Sequence, residues 1–216
     1  MLVRDRMTPD PTCGYPDMPV TEAQSLMRDK GVRHLPIVDD KEKLVGLITQ
    51  RSLLSALPSD VSNFSRFEIS YTLAKIKVDT VMVKDVITIE EDIPIETAAR
   101  VMADHKIGCL PVMNGRDLVG IITDSDLFNT MVSLLGSRRK GTRVTVLQPD
   151  RVGEVARLTN AIAEEGGYLS VCVGYYPEDI TDSWVSVCKV LNLDREQLQG
   201  VINQLEGTKV LDIREI

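Results

Sequence analysis

Between Met7 and Leu127 the chain states one pattern twice, and that repetition restricts the fold more than any other feature of the sequence. At an offset of 75, Met7 falls on Met82, Asp10 on Asp85, Ala23 on Ala98, Met27 on Met102, Asp29 on Asp104, Leu35 on Leu110 and Pro36 on Pro111. One residue fewer in the loop around 39–43 restores the match. Leu44, Val45, Gly46, Ile48, Thr49 and Leu53 then fall on Leu118, Val119, Gly120, Ile122, Thr123 and Leu127. Self-similarity at a fixed period fixes architecture before any residue is interpreted, and two copies are too few for a solenoid. The expectation is a closed pair of like units related by a pseudo-twofold axis, with clefts between them.

Each copy has the same grammar. A short polar segment with a methionine (Arg6-Met7-Thr8-Pro9, then Val81-Met82-Val83-Lys84) leads into an amphipathic helix. Val20, Ala23, Leu26 and Met27 share one face in the first copy; Ile95, Ala98, Val101 and Met102 do so in the second. Pro19 and Pro94 mark the helix starts, and Lys30-Gly31 and His105-Lys106 mark the ends. Two short apolar, β-branched runs follow in each copy, 32–38 with 44–49 and 107–113 with 118–123, the second pair joined by Asn114-Gly115. They read as hairpins. A second helix follows over 52–57 or 126–135. Each copy is therefore β-α-β-β-α, and Phe67, Tyr71 and Ala74 form a helical apolar stripe in the connection between the copies.

The pattern Met, helix, Leu-Pro and two apolar residues, turn, then Gly-apolar-Ile-Thr ahead of a second helix resembles the CBS domain. Two in tandem resemble a Bateman module, and the match covers about 2–57 and 78–135. Such pairs regulate other functions by binding adenosine-containing ligands in their clefts. That resemblance implies AMP, ADP, ATP, S-adenosylmethionine or NADH as the regulatory ligand, with no required cofactor. The run Tyr71-x-Leu73-x-Lys75-Ile76-Lys77-Val78 is similar to the linker of the acetoin-utilisation AcuB family.

The chemistry is concentrated in Gly120-Ile121-Ile122-Thr123-Asp124-Ser125-Asp126, where a strand passes into a helix. Helix N-termini suit phosphate, and a carboxylate can accept hydrogen bonds from two ribose hydroxyls. Thr, Ser and Asp are equally the residues that cap any helix, so on residue chemistry alone both readings stand. The resemblance assigns Thr123 and Asp126 to the ribose-phosphate positions and Val86 and Ile87 to an adenine pocket, where plain core residues serve equally, and it adds Ile107 and Pro111 to the nucleotide-binding candidates. The first copy has Ser52 in place of Asp126, which predicts one good nucleotide site per chain. Arg33 and His34 are candidates to meet a phosphate from the opposite copy, or form an exposed pair at a strand end.

After about residue 141 the pattern changes to strand (143–147), helix (152–165), strands (168–175 and 183–191), a helix capped by Asp194, and a last strand (209–216). The order βαββαβ is ferredoxin-like. Asp150-Arg151-Val152-Gly153-Glu154-Val155 resembles the Asp-x-x-Gly-x-Leu turn of ACT domains, which bind small effectors, often amino acids. The resemblance makes Asp150, Val152 and Gly153 effector-binding candidates; a plain glycine turn and a helix cap explain the same residues.

The fold class expected is thus mixed α/β and α+β: a CBS pair followed by an ACT domain. The divisions are 1–62, 63–77 (connecting helix), 78–135, 136–142 (linker) and 143–216. Composition leaves few other classes. Residues 1–140 carry 18 basic and 20 acidic side chains and 141–216 carry 7 and 12, within a net charge of −7. Neither part has the basic footprint of a nucleic-acid binder. No apolar run has the length of a membrane span, and the cysteines show no metal-ligand or CxxC spacing. A cytoplasmic, non-catalytic sensor follows, a homodimer through its CBS helices and ACT sheets. An adaptor with unused clefts is the alternative; no nucleophile–base order, P-loop or GxGxxG supports an enzyme.

Overall fold

The computed structural model describes residues 1–55 and 75–216, so most of the connecting helix expected over 63–77 lies outside the described residues. The chain divides into two units, Met1–Phe128 and Asn129–Ile216. The division falls inside a helix, not within the expected linker at 136–142.

In the first unit the first copy contains β1 (Thr8–Pro9), α1 (Val20–Lys30), β2 (His34–Val38), β3 (Leu44–Thr49) and α2 (Gln50–Ser55). The second contains α3 (Val78–Val81), β4 (Ile89–Glu90), α4 (Ile95–His105), β5 (Cys109–Asn114), β6 (Asp117–Thr123) and α5 (Asp124–Leu134). The main helices start after Pro19 and Pro94 and bury Val20, Ala23 and Met27, or Ile95, Ala98 and Met102. Both end on a left-handed residue, Gly31 (φ 67°) and Lys106 (φ 54°). Glycine is at ease there; for lysine the conformation costs roughly 1–2 kcal/mol. Even the irregularity of the hairpins repeats, with register shifts between Ile37 and Val38 and between Val112 and Met113.

The two copies are interlocked. β1 does not join its own copy's hairpin; it pairs with β6 of the other copy, Thr8 opposite Ile121. The equivalent segment of the second copy crosses back, so that Val83 and Leu47 exchange two backbone hydrogen bonds of 2.9 Å. Beside each crossing a methionine lies against a glycine: Met7 on Gly120 and Met82 on Gly46. A Cβ built on Gly120 would stand 2.4 Å from Met7 Sδ, and one on Gly46 2.3 Å from Met82 Sδ. Leu47, Cys109 and Ile121 form a small buried cluster drawn from both copies.

The second helices begin two residues earlier than expected, at Gln50 and Asp124. Asp126 Oδ2 accepts from the Thr123 backbone N–H (2.8 Å) and hydroxyl (2.7 Å). Ser52 Oγ likewise accepts from the Thr49 N–H (2.8 Å), and the Ser52 N–H returns a bond to Thr49 Oγ1 (3.1 Å). A threonine at the cap and a short polar residue three later is a capping box, which places those residues inside the first turn.

The second unit runs β7 (Thr142–Pro149), α6 (Glu154–Glu164), β8 (Tyr168–Tyr175), β9 (Ser183–Leu191), α7 (Arg195–Asn203) and β10 (Lys209–Glu215). Its antiparallel sheet has the order β10-β7-β9-β8, which with the βαββαβ sequence is the ferredoxin-like arrangement. Leu158, Ile162, Leu198, Val201 and Ile202 of the helices pack on Val144, Val146, Cys188 and Val190 of the strands. Asp194 caps α7, accepting from the Gln197 N–H at 2.9 Å. Lys189, only 2% exposed, donates from Nζ to the Gly136 carbonyl at 2.8 Å and to the Arg139 carbonyl.

The interlock makes a testable demand. Gly120→Ala overpacks the Met7 contact and is expected to lower unfolding free energy by about 1–3 kcal/mol, the usual range for forced core insertions. Adding Met7→Ala to it should cost less than the two single effects summed. Denaturant unfolding of the four proteins in that cycle measures the coupling; strict additivity would show that Met7 and Gly120 do not form the contact.

Candidate functional site

A cleft of about 460 Å³ opens between the two copies, within the usual size of small-molecule sites, ~300–1,000 Å³. Leu47, Val83, Val86, Ile87, Ile107 and Cys109 give it an apolar floor. Arg33, Arg51 and Lys106 bring positive charge and Asp85 and Asp124 negative charge; His34, Thr49, Gln50 and Gly108 complete the lining. An apolar slot edged by cations accepts a flat hydrophobic ring carrying an anionic group.

Of the residues singled out from sequence, Arg33, His34, Val86, Ile87 and Ile107 meet in this cleft. Thr123, Asp126 and Pro111 are not among its lining residues. Thr123 and Asp126 are engaged with each other at the start of α5, and Pro111 is buried in β5 opposite Ile121. The carboxylates that do line the cleft are Asp85 and Asp124. Arg33 reaches the latter from the other copy, donating from Nη2 to Asp124 Oδ1 (3.2 Å) and to Ser125 Oγ (2.9 Å).

The pseudo-symmetry is broken at this ion pair. Offsets of 75 and 74 carry Arg33 onto Gly108 and Gln50 onto Asp124, so the equivalent side holds a glycine and a neutral amide. A Cβ on Gly108 would be 3.4 Å from Asp124 Oδ2 and 3.8 Å from His34 Nε2. The charged pair is thus present once in the cleft, and its pseudo-symmetric counterpart, Gly108 with Gln50, carries neither charge. Both partners of the pair are about half exposed, and pairs of that kind contribute only ~0–1 kcal/mol. An incoming anion can take Arg33 from Asp124 at small cost.

Burial, and the Arg33 charge beside it, hold the His34 imidazole below its ordinary pKa, with Asp124 opposing; its proton is off at neutral pH. Burial pushes the Cys109 thiol up to about 12, with Asp124 adding to the effect, so the thiol stays protonated in the cleft floor. Lys106 is at the rim because α4 ends there in the left-handed conformation. Sequence reading missed Asp124, Lys106, Arg51 and Gly108 by attending to where the copies agree. The cleft's asymmetries lie where they differ, as at Lys106 against Gly31, Arg33 against Gly108, His34 against Cys109, Gln50 against Asp124 and Arg51 against Ser125.

In the second unit the turn 150–153 ends in Gly153 at φ 94° with no atom within 4 Å of where its Cβ would be. Val152 is fully exposed, so α6 begins at Glu154 and not at 152 as expected. Asp150 does not cap the helix; its N–H donates to the Asp182 carbonyl at 3.0 Å. The turn is fixed from below. Ser186 Oγ donates to Gln148 Oε1 (2.7 Å), Gln148 Nε2 donates to the Glu154 carbonyl (3.0 Å), and Arg151 and Arg157 pair with the Glu154 carboxylate. The three candidates therefore share an open, well-anchored turn.

Among the described residues no helix is long and apolar enough to cross a membrane. Compared with solved structures, the chain is similar to an acetoin utilization protein (AcuB) of Vibrio cholerae, at TM-score 0.53 and 36% identity over 64% of this chain and 95% of that one. It is similar to the CBS domain pair of protein MJ0100 in complex with 5-methylthioadenosine and S-adenosyl-L-methionine, at TM-score 0.51 and 28% identity over 64% of this chain and 98% of that one. It is also similar to CBSX2 in complex with AMP, at TM-score 0.51 and 29% identity over 64% and 98%. A curated relative, the L-aspartate semialdehyde sulfurtransferase of Methanocaldococcus jannaschii, is 31% identical over 127 residues, which is 58% of this chain and only 22% of that enzyme. The CBS-domain model matches residues 3–59 and 78–133, together more than half of the chain. Two interlocked copies, each a main helix, a hairpin and a second helix, belong to that model, and the chain is a member of the CBS-domain family.

Proposed function

We propose that this protein is a non-catalytic regulatory sensor whose CBS pair binds one adenosine-containing ligand, of the AMP, ADP, ATP, S-adenosylmethionine or NADH class. The observation that carries the reading is the asymmetric cleft. Its apolar floor suits an adenine ring, and the cationic rim of Arg33, Arg51 and Lys106 suits phosphate or another anionic tail. Similar CBS pairs in complex with AMP, and with 5-methylthioadenosine and S-adenosyl-L-methionine, support the ligand class. In this reading Asp126 takes the ribose by exchanging its bonds to Thr123 for bonds to the ribose hydroxyls. The second unit is an ACT-type domain that takes an amino acid or other small effector at Asp150, Val152 and Gly153.

An adaptor whose clefts are unused is the competing reading, and one observation favours it: Thr123 and Asp126 hold each other and stand off the cleft lining. Calorimetric titration of the full chain with the five adenosyl compounds and with amino acids separates the two. Binding of at least one adenosyl ligand, at one equivalent per chain, is the expected outcome. Asp126→Ala should weaken it by roughly 1.5–3 kcal/mol, the range for a hydrogen bond to a charged group. Equal affinity in both proteins restricts Asp126 to capping; no heat with any compound favours the adaptor.

Lys106→Gly tests the rim separately. Relief of the left-handed lysine should raise unfolding free energy by about 1 kcal/mol, while loss of the cation weakens phosphate-bearing ligands and leaves the nucleoside adenosine unaffected. Thermal melts and titrations of AMP against adenosine read the two effects. A variant that is stabilised yet binds AMP as well as wild type would remove Lys106 from the site.

The assembly proposed is a homodimer. Phe128, Met131 and Leu134 of α5 are 63%, 49% and 54% exposed and lie along one helix with Leu135 just past its end. Leu127, expected in this stripe, instead packs on the core of its own copy, and Phe128 takes its place outside. Apolar side chains so grouped mark a contact surface. Light scattering at micromolar concentration should give twice the 24.0 kDa chain mass, and Met131→Glu should return the monomer; a monomeric wild type overturns the assembly.

A further inference from the structure

We infer that Cys172 and Cys188 are a redox-modification site: a dithiol that hydrogen peroxide closes to an intramolecular disulfide and a small thiol reopens. Their spacing in sequence gave no sign of it. The register of the β8–β9 hairpin puts Cys172 directly opposite Cys188. The Cys188 thiol donates to Cys172 Sγ at 3.6 Å, and both cysteines are free. Directly opposed residues of an antiparallel pair have Cα atoms about 4.5–5.5 Å apart, inside the roughly 4.4–6.8 Å that a disulfide spans. Closure needs only side-chain rotation to about 2.05 Å between sulfurs.

The two thiols occupy different surroundings, as an attacking and a resolving cysteine require. β8 is the edge strand of the sheet, and Cys172 on it is exposed. Cys188 is fully buried in the core between sheet and helices. The hydrogen bond from Cys188 favours ionisation at Cys172, and the same bond together with burial disfavours it at Cys188. Thiolate character and access decide which cysteine reacts first. The other two are poor competitors: Cys13 is half-buried, and its thiol donates to the Pro11 carbonyl at 3.2 Å. Cys109 is buried in the floor of the cleft.

The chemistry balances with peroxide as the oxidant. The Cys172 thiolate attacks one peroxide oxygen, the O–O bond breaks, and the departing hydroxide takes up a proton as water, leaving a sulfenic acid. The Cys188 sulfur attacks that sulfur, the S–O bond breaks, and the hydroxide leaves with the Cys188 proton as a second water. Two thiols have become one disulfide and one peroxide two waters. A small thiol attacks the exposed Cys172 sulfur, passes through a mixed disulfide, and a second thiol restores both cysteines. The oxidised bridge ties the edge strand to its neighbour across the hairpin. The assignment is independent of any ligand in the CBS cleft.

The full-length protein, treated with hydrogen peroxide without denaturant, should lose two of its four titratable thiols. Peptide mass mapping should place the new bond between Cys172 and Cys188 within one chain, and dithiothreitol should restore all four thiols. In Cys188→Ser, Cys172 should stop at the sulfenic acid and be trapped by dimedone, with one thiol lost. A Cys13→Ser/Cys109→Ser protein should still lose two. Oxidation of wild-type Cys172 to sulfinic acid with Cys188 still reduced, a bridge between chains, or faster loss at Cys13 or Cys109 would each overturn the assignment.

Discussion

The reciprocal exchange of leading strands is the constraint on which the rest of the first unit depends. A CBS copy alone leaves one edge of its hairpin unpaired, and unpaired backbone groups are costly to bury. Here each copy lends Thr8 or Val83 to the other's last strand. The flanking methionines then fill space that only glycine leaves open at Gly120 and Gly46. Conditions that hold for both copies at once explain why Met7 and Met82, and Gly46 and Gly120, recur at matching positions. They are the two halves of one contact, made twice.

That interlock fixes where the cleft lies and leaves its chemistry to residues that escape the symmetry. The floor comes from strands already committed to the exchange, with Leu47 of one copy beside Val83 and Cys109 of the other. Rigid packing below allows single substitutions above to set polarity without disturbing the fold. The Arg33–Asp124 pair, whose pseudo-symmetric positions are Gly108 and Gln50, gives a nearly twofold body an asymmetric cleft. Lys106 keeps a strained backbone at the rim, where a glycine stands in the other copy. Strain retained beside a cleft is a common mark of a working site.

Most of the element order was legible in the sequence because the repetition, the prolines before α1 and α4, and the β-branched runs all state local rules. β3, β8 and β9 begin and end where the apolar runs do. The starts of α2, α5 and α6 were misplaced by two residues for one kind of reason. Polar residues inside a capped first turn, and an exposed Val152 ahead of a left-handed Gly153, are decided by side-chain geometry that periodicity does not carry. The exchange of strands was invisible too, since the pattern says that a strand exists and not which hairpin receives it. Of the candidate site residues, Arg33, His34, Val86, Ile87 and Ile107 converge on the cleft, whereas Asp126 is turned to the Thr123 cap and it is Asp124, two residues before it, that lines the cleft.

The segment that follows α5 is held by the second unit's own strands. Asp124, the first residue of α5, lines the cleft, and the same helix runs unbroken to Leu134. It then closes in a left-handed Gly136 (φ 59°), with the Gly136 and Ser137 N–H groups returning to Ser133 and Val132 carbonyls. The stretch that follows is not a slack tether. The buried Lys189 ammonium on β9 takes the Gly136 and Arg139 carbonyls as its partners, and a buried charge cannot give up such partners without a large penalty. The segment after α5 is therefore fixed to β9 within the second unit.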